Sequence, residues 1–78
     1  MIITRKRCGQ TVRSPIYRLI IDGKPSRLLV EKTPKPPAYR MPDEWDVYPE
    51  GNPQDILVVG TSLFAAVEKV RKVLESSQ

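Results

Sequence analysis

Cys8 is the residue best placed for covalent chemistry, because it directly follows the cations of Arg5, Lys6 and Arg7. Nearby positive charge stabilises a thiolate, which is the nucleophilic form of cysteine. A nucleophilic cysteine normally works with a histidine base, and the 78-residue chain contains no histidine. Histidine is also the commonest metal ligand, and a single cysteine cannot build a thiolate metal site. The sequence therefore predicts neither a cysteine nucleophile nor a metal centre.

Two other stretches contain residue types suited to chemistry, but in patterns that do not favour it. Asp43, Glu44 and Asp46 cluster beside several prolines without a second group to complete an acid–base pair, so a solvated acidic loop is the favoured interpretation. The Gly-Thr-Ser sequence of residues 60–62 precedes a predicted helix and would place backbone N–H groups near an anion. It lacks the glycine spacing and the lysine of a phosphate loop. We therefore expect a protein that is not an enzyme and that uses no cofactor and no small-molecule substrate.

Binding through positive charge is the function that the composition favours. The net charge is +4, but residues 1–40 carry ten Lys or Arg and two acids, whereas residues 41–78 carry three and seven. This asymmetry indicates a basic surface directed at a nucleic acid or an acidic protein face; the alternative is solubility together with packing of the two halves. The candidate partner-binding residues are Arg5, Lys6, Arg7, Arg13, Arg18, Lys24, Arg27, Tyr39 and Arg40.

Residues 1–15 begin this basic region, and no acid occurs before Asp22. Ile2 and Ile3 favour a short edge strand, and Gly9 and Gln10 mark a break after it. The pattern predicts a flexible basic N-terminal arm of the kind that becomes ordered on a partner. A solvated terminus without a role is the alternative.

Residues 16–32, IYRLIIDGKPSRLLVEK, predict a β-hairpin around which the rest of the fold is arranged. Residues 22–25 have the composition of a connecting loop. A four-residue loop would place Tyr17 opposite Val30 and Leu19 opposite Leu28. Because side chains alternate along a strand, one face of the hairpin would then be apolar. The members of that face are Tyr17, Leu19, Ile21, Leu28 and Val30.

The other face of this hairpin carries charge. Arg18 and Arg27 would lie nearly opposite each other, which costs free energy unless an anion compensates. Glu31 is one candidate for that anion, and a phosphate from outside the protein is another. With Lys24 in the loop, the hairpin would present three cations from a rigid element.

Residues 33–44 form a proline-rich connection. Each proline fixes φ and removes an N–H group, which excludes both a helix and a central strand. Residues 34–37 fit the PxxP pattern and favour polyproline II. A stiff linker is the favoured role, and docking on an aromatic groove is the alternative. Tyr39 and Arg40 at its end would either stack on a nucleic-acid base or cover the edge of the core.

Residues 45–60 predict a second hairpin, with residues 49–54 as the loop. Trp45 and Val47 alternate with polar residues, as in a half-buried strand. The continuous apolar run of residues 56–59 predicts a central strand that is covered on both faces.

Residues 62–76 predict a helix that Thr61 or Ser62 would cap. Its apolar residues recur at helical spacing and form one stripe, which must pack on a sheet face. The members of the stripe are Leu63, Ala66, Val67, Val70, Val73 and Leu74. We therefore predict an α+β fold, ββ-linker-ββα, with about four antiparallel strands and one C-terminal helix on one face of the sheet. Residues 16–76 would form this single domain.

The chain has no apolar run near the ~20 residues that a membrane span needs, so no membrane partner is expected. Its start does not have the pattern of a signal peptide. A single cysteine suits a reducing compartment. These features predict a cytoplasmic protein.

The basic start MIITRKRCGQTVRSP, followed by the hairpin sequence, resembles small phage-encoded proteins that bind bacterial RNA polymerase and inhibit or redirect transcription. The resemblance covers residues 1–32 and assigns no site residues. It implies a regulator in the bacterial host cytoplasm whose basic arm docks on an acidic polymerase surface or beside the emerging RNA. The alternative function is direct binding of DNA or RNA through the hairpin and the arm.

Overall fold

The computed structural model describes residues 1–12, 14–33 and 43–76. These residues form a five-stranded antiparallel sheet and one helix, which confirms the α+β class with one strand more than the four expected. The strands lie in the sheet in the order in which they occur in the chain. The elements are β1 Ile3–Gln10, β2 Pro15–Ile21, β3 Lys24–Thr33, β4 Glu44–Pro49, β5 Val58–Gly60 and α1 Leu63–Ser76.

The central hairpin joins β2 to β3, and Tyr17 pairs with Val30 as predicted. Near the loop the predicted register is wrong, because Ile21 pairs with Lys24 across a turn of only two residues. Residues 22 and 23 of that turn have φ values of 51° and 82°. An Asp-Gly pair adopts such angles readily, and its twist matches that of the two strands. The short turn is therefore favoured over the four-residue loop.

A bulge in β3 connects the short turn to the pairing further along. Residues 26–28 lie opposite a single β2 residue, Leu19. The Ser26 hydroxyl donates to the carbonyl oxygen of Leu19 at 2.8 Å and accepts from the N–H of Leu28 at 3.1 Å. A serine side chain thus satisfies backbone groups that the irregular pairing would leave without partners.

The segment predicted to be a flexible N-terminal arm contains strand β1, which pairs with β2 from Ile3↔Ile21 to Gln10↔Pro15. Cys8 is the additional residue of a bulge in this strand. β1 lies at one edge of the sheet and most of its side chains are exposed. Backbone hydrogen bonds to β2 hold most of this strand, and a strand held in this way cannot be predicted from a pattern of hydrophobic residues.

The core lies between one face of the sheet, here called the helix face, and α1. Two residues of the predicted apolar hairpin face, Leu19 and Val30, are fully buried. Tyr17 and Leu28 pack against them. The remaining buried members of the core are Val47, Ala66 and Val70. Within the described residues α1 is the one helix, and the face of the sheet away from it is called the open face.

The second hairpin joins β4 to β5, with Val47 paired to Val58. The prediction of a central strand over residues 56–59 is wrong, because β5 is a three-residue strand at the other edge of the sheet. Ile56 and Leu57 precede it and are exposed. The N–H of Leu57 still donates to the carbonyl oxygen of Val47 at 2.8 Å. Within the apolar run, Val58 packs against the core, whereas Ile56, Leu57 and Val59 are exposed.

Helix α1 begins one residue later than predicted, and Ser62 is its cap. The Ser62 hydroxyl accepts a hydrogen bond of 3.0 Å from the N–H of Ala65, in the first turn of the helix. The buried residues of α1 are Ala66 and Val70, both members of the predicted stripe. Val73, another member, is 55 % exposed. The stripe is therefore buried most completely near the middle of the helix.

Candidate partner-binding surface

Three of the nine candidate residues lie side by side on β1. Arg5, Lys6 and Arg7 are all exposed, and together they are called the basic edge. Arg13 falls outside the described residues, as do Tyr39 and Arg40 with most of the proline-rich connection. The sequence prediction of a basic surface at the start of the chain therefore corresponds to a defined strand.

The basic edge presents charge toward both faces of the sheet. Arg5 pairs with Leu19 and Arg7 with Tyr17, so both arginines share the helix face with these core residues. Lys6 pairs with Arg18 and lies on the open face. A partner approaching the edge of β1 from either side would meet a cation.

Neutral groups hold the two arginines. The Arg5 guanidinium lies over the Tyr17 ring, 5.3 Å from its centroid, in the arrangement of a cation–π contact. The Arg7 guanidinium donates to the side-chain oxygen of Gln10. Neither contact cancels a charge, so both residues are positioned and remain cationic.

The ion pairs between described residues lie elsewhere. Lys32 pairs with Asp43 at 2.9 Å, and Arg71 pairs with Glu68 at 3.3 Å. Arg18 pairs with Glu50. Within the described part of the chain, the basic edge takes part in none of these pairs. Lys24, Arg27, Lys69 and Lys72 are also outside these pairs, but the basic edge is the one run of three such cations at consecutive positions among the described residues.

Arg18 occupies a different environment from the one predicted. Its guanidinium donates to the Glu50 carboxylate and to the carbonyl oxygen of Ser26, the latter at 2.8 Å. The hydrogen bond with Glu50 raises the pKa of Arg18 and lowers that of Glu50. Glu31, one of the two candidate anions for Arg18, instead accepts a hydrogen bond of 3.0 Å from the Tyr48 hydroxyl. Arg18 therefore ties β2 to the bulge and to the end of β4, with its charge balanced.

The other two hairpin cations lie on β3, which β2 separates from the basic edge. Lys24 is exposed directly after the turn, and Arg27 is exposed within the bulge. Leu29, rather than Arg27, is the β3 residue opposite Arg18. The predicted repulsion between Arg18 and Arg27 across the hairpin is therefore replaced by the pairing of Arg18 with Glu50.

A cleft between β1 and α1 was not foreseen from the sequence. Its volume is about 200 Å³, and its apolar lining includes Ile3, Leu63 and Val67. Phe64 also lines it and is 76 % exposed. Phe64 falls outside the apolar stripe of the helix. A large aromatic residue on the polar side of a helix is the sequence signal that indicates such an exposed apolar surface.

Groups suited to catalysis are not brought together in the described residues. Cys8 is exposed. Over residues 1–12, 14–33 and 43–76, no set of three or more Cys, Asp and Glu is arranged to hold a metal ion. At residues 60–62, the stretch that lacks the phosphate-loop pattern, the Ser62 hydroxyl accepts a hydrogen bond from the first turn of the helix.

The one helix of the described residues, α1, is not long and apolar enough to cross a membrane. No protein-family model matches the chain, and no curated protein or solved structure gives a significant match either.

Proposed function

We propose that this protein is a non-catalytic binding protein that docks its basic edge on an acidic protein surface. The observation that carries the proposal is the state of Arg5, Lys6 and Arg7, which are exposed and outside every ion pair between described residues. Exposed charges act over a Debye length of ~8 Å at physiological salt. Such a patch steers an acidic partner toward one orientation and suppresses binding of basic surfaces.

The class of partner comes from the resemblance of residues 1–32 to phage-encoded regulators. We propose a component of a nucleic-acid-processing assembly in the bacterial cytoplasm, with RNA polymerase as the first partner to test and transcription as the process modulated. The ordered strand β1 supports binding in one defined orientation, because cations held on a sheet lose less conformational entropy on binding than cations on a flexible tail.

Binding to purified bacterial RNA polymerase, measured by biolayer interferometry, tests this function. The test variant is Lys6→Gln with Arg7→Gln, and the matched control is Lys69→Gln with Lys72→Gln on α1. Both variants lower the net charge from +4 to +2. We expect the β1 variant to lose about tenfold in affinity and the helix variant to stay near the wild type. Equal losses would show that overall charge, and not the basic edge, determines binding.

Direct binding of DNA or RNA is the second candidate function. The observation that favours it is the exposure of Lys24 and Arg27, which extends positive charge beyond β1 along the hairpin. Fluorescence anisotropy with labelled DNA and RNA oligonucleotides tests it at a series of salt concentrations. Binding that weakens steeply with salt and depends on Lys24 and Arg27 would support this candidate. No binding at low salt would exclude it.

A further inference from the structure

The outer edge of β1 presents backbone groups in a regular row. Ile2 and Asp22 form a hydrogen-bonded pair, since the N–H of Asp22 donates to the carbonyl oxygen of Ile2 at 2.8 Å. Bonded and non-bonded pairs alternate along an antiparallel ladder. The N–H and C=O groups of Ile3, Arg5 and Arg7 therefore point away from β2. In the described part of the chain no strand pairs with this edge.

The side chains on this row select what pairs with it. Antiparallel pairing of β1 with a second copy about Arg5 would place Arg5 opposite Arg5 and bring the other cations of the basic edge together. Charged edge residues commonly prevent this kind of self-association. An acidic strand would gain from the same charges. The edge is thus closed to a second copy and open to a segment of opposite charge.

The cleft between β1 and α1 lies next to the same row. Ile3, at the start of β1, and Phe64 on α1 both line it, and the charged residues Arg5, Glu68 and Arg71 line it as well. Side chains of a strand added beside β1 would alternate between the helix face and the open face. A residue opposite Ile3 would project toward the helix face and meet this cleft. The cleft can therefore accept one apolar side chain of an added strand.

We propose that β1 binds an acidic extended peptide segment of a partner protein as a sixth strand, with one apolar side chain in the β1–α1 cleft. This inference rests on the proposed function and states how the basic edge would engage its partner. Strand addition gains affinity from main-chain hydrogen bonds and specificity from pockets for alternate side chains. In the antiparallel arrangement that continues the sheet, acidic residues lie opposite Arg7, Lys6 and Arg5, and the apolar residue lies opposite Ile3.

A synthetic peptide, Thr-Glu-Asp-Glu-Val-Leu-Thr, tests the proposal by isothermal titration calorimetry with the full chain. Its second glutamate lies opposite Arg5, so the N–H of that glutamate would donate to β1. N-methylation at this position removes the donor and keeps the side chain. N-methylation of the aspartate is the matched control, because its N–H points away from β1. We expect the first modification to weaken binding about tenfold and the second to leave it nearly unchanged.

Two further measurements test the placement of the peptide. We expect the unmodified peptide to slow amide hydrogen exchange at Ile3, Arg5 and Arg7 more than at Thr4 and Lys6. The Phe64→Ser variant should bind the peptide roughly fivefold more weakly, and replacing leucine with serine in the peptide should have a comparable effect. Because Phe64 is mostly exposed, its replacement leaves the core intact.

Each alternative outcome overturns the proposal in a recognisable way. Equal binding of both N-methylated peptides would show acidic recognition without strand addition, and the proposed function would then stand without this inference. Failure of all these peptides to bind, together with polymerase binding that depends on the basic edge, would lead to the same conclusion. Sedimentation of the free protein as a dimer that peptide does not dissociate would show that a second copy occupies the edge.

Discussion

Gly60 lies so close to Ala66 that a Cβ on Gly60 would be 2.5 Å from the backbone nitrogen of Ala66. Gly60 ends β5 and is buried, and it pairs with Trp45 on β4. The absence of a side chain at Gly60 lets the second turn of α1 rest directly on the edge of the sheet. The contact sets how deeply the helix enters the core.

Replacing Gly60 with alanine should therefore lower the free energy of unfolding by about 2–3 kcal/mol, because the helix must move away from β5. Urea denaturation followed by circular dichroism measures the change. Gly9→Ala is the matched control, since a Cβ there would be 3.9 Å from Ile16, an ordinary contact. A Gly60→Ala protein as stable as Gly9→Ala would show that the helix can shift without loss.

The cap of α1 provides a second stability prediction. Ser62→Ala removes the hydroxyl that accepts from the N–H of Ala65, and it should cost about 1 kcal/mol of unfolding free energy. Thr61→Ala is the control, because Thr61 is exposed and precedes the capping position. Urea denaturation of the two variants should separate them. An equal loss in both would place part of the cap on Thr61.

The helix and the central hairpin could be predicted because their signals are local. The apolar stripe and the residues able to cap it lie within 15 positions of one another, and the Asp-Gly turn marks the hairpin. The register at the turn was harder to predict. It depends on the bulge, and the bulge depends on Ser26 bonding to Leu19, seven residues away.

Both edges of the sheet were harder to predict than its centre. β1 has one residue, Ile3, packed against the core, and its other side chains give no alternating pattern. For β5, the apolar run of residues 56–59 favours a buried central strand, whereas β5 lies at an edge of the sheet. Burial follows from the position of a strand in the sheet, and a sequence pattern alone does not reveal that position.

The sequence identifies the candidate surface by its charge, and the structure adds the position of each described cation in the sheet. Arg5, Lys6 and Arg7 were identified from charge alone, since they form a run without acids. The counter-ion of Arg18 does not follow from the sequence, because Glu50 lies 32 residues away and comes close only after β4 has paired with β3. The exposure of Phe64 in the β1–α1 cleft does not follow from helical periodicity, because periodicity describes only the face of the helix that packs on the sheet.

Tyr48 provides a prediction about pH. Burial, followed by the hydrogen bond to Glu31, raises the pKa of Tyr48 from 10.0 to about 12. The folded state therefore holds this proton more tightly than the unfolded state does. The stability that results is fully present below pH 10 and is lost as the pH rises toward about 12. Denaturant unfolding across this range should show the loss in the wild type and a smaller loss in Tyr48→Phe.

Glu31→Gln separates the two causes of this pKa shift. Glutamine removes the negative charge and keeps a hydrogen-bond acceptor, while Tyr48 remains buried. Since burial is the larger cause, the pKa of Tyr48 should fall only part of the way toward 10.0. Ultraviolet absorbance of tyrosinate follows the titration. A complete return to 10.0 would identify Glu31 as the dominant cause.

The pairing of Arg18 with Glu50 provides a prediction about binding, which rests on the proposed function. Arg18 lies beside Lys6 on the open face, and Glu50 now balances its charge. Glu50→Gln removes that balance and raises the net charge from +4 to +5. Affinity for an acidic partner should rise roughly two- to fivefold, with a steeper dependence on salt. Glu75→Gln makes the same change in net charge at the far end of α1, and it should alter affinity less in the same interferometry assay. A gain no larger than that of Glu75→Gln would show that the partner does not reach the open face beside Lys6, which would confine the contact to the helix face and the outer edge of β1.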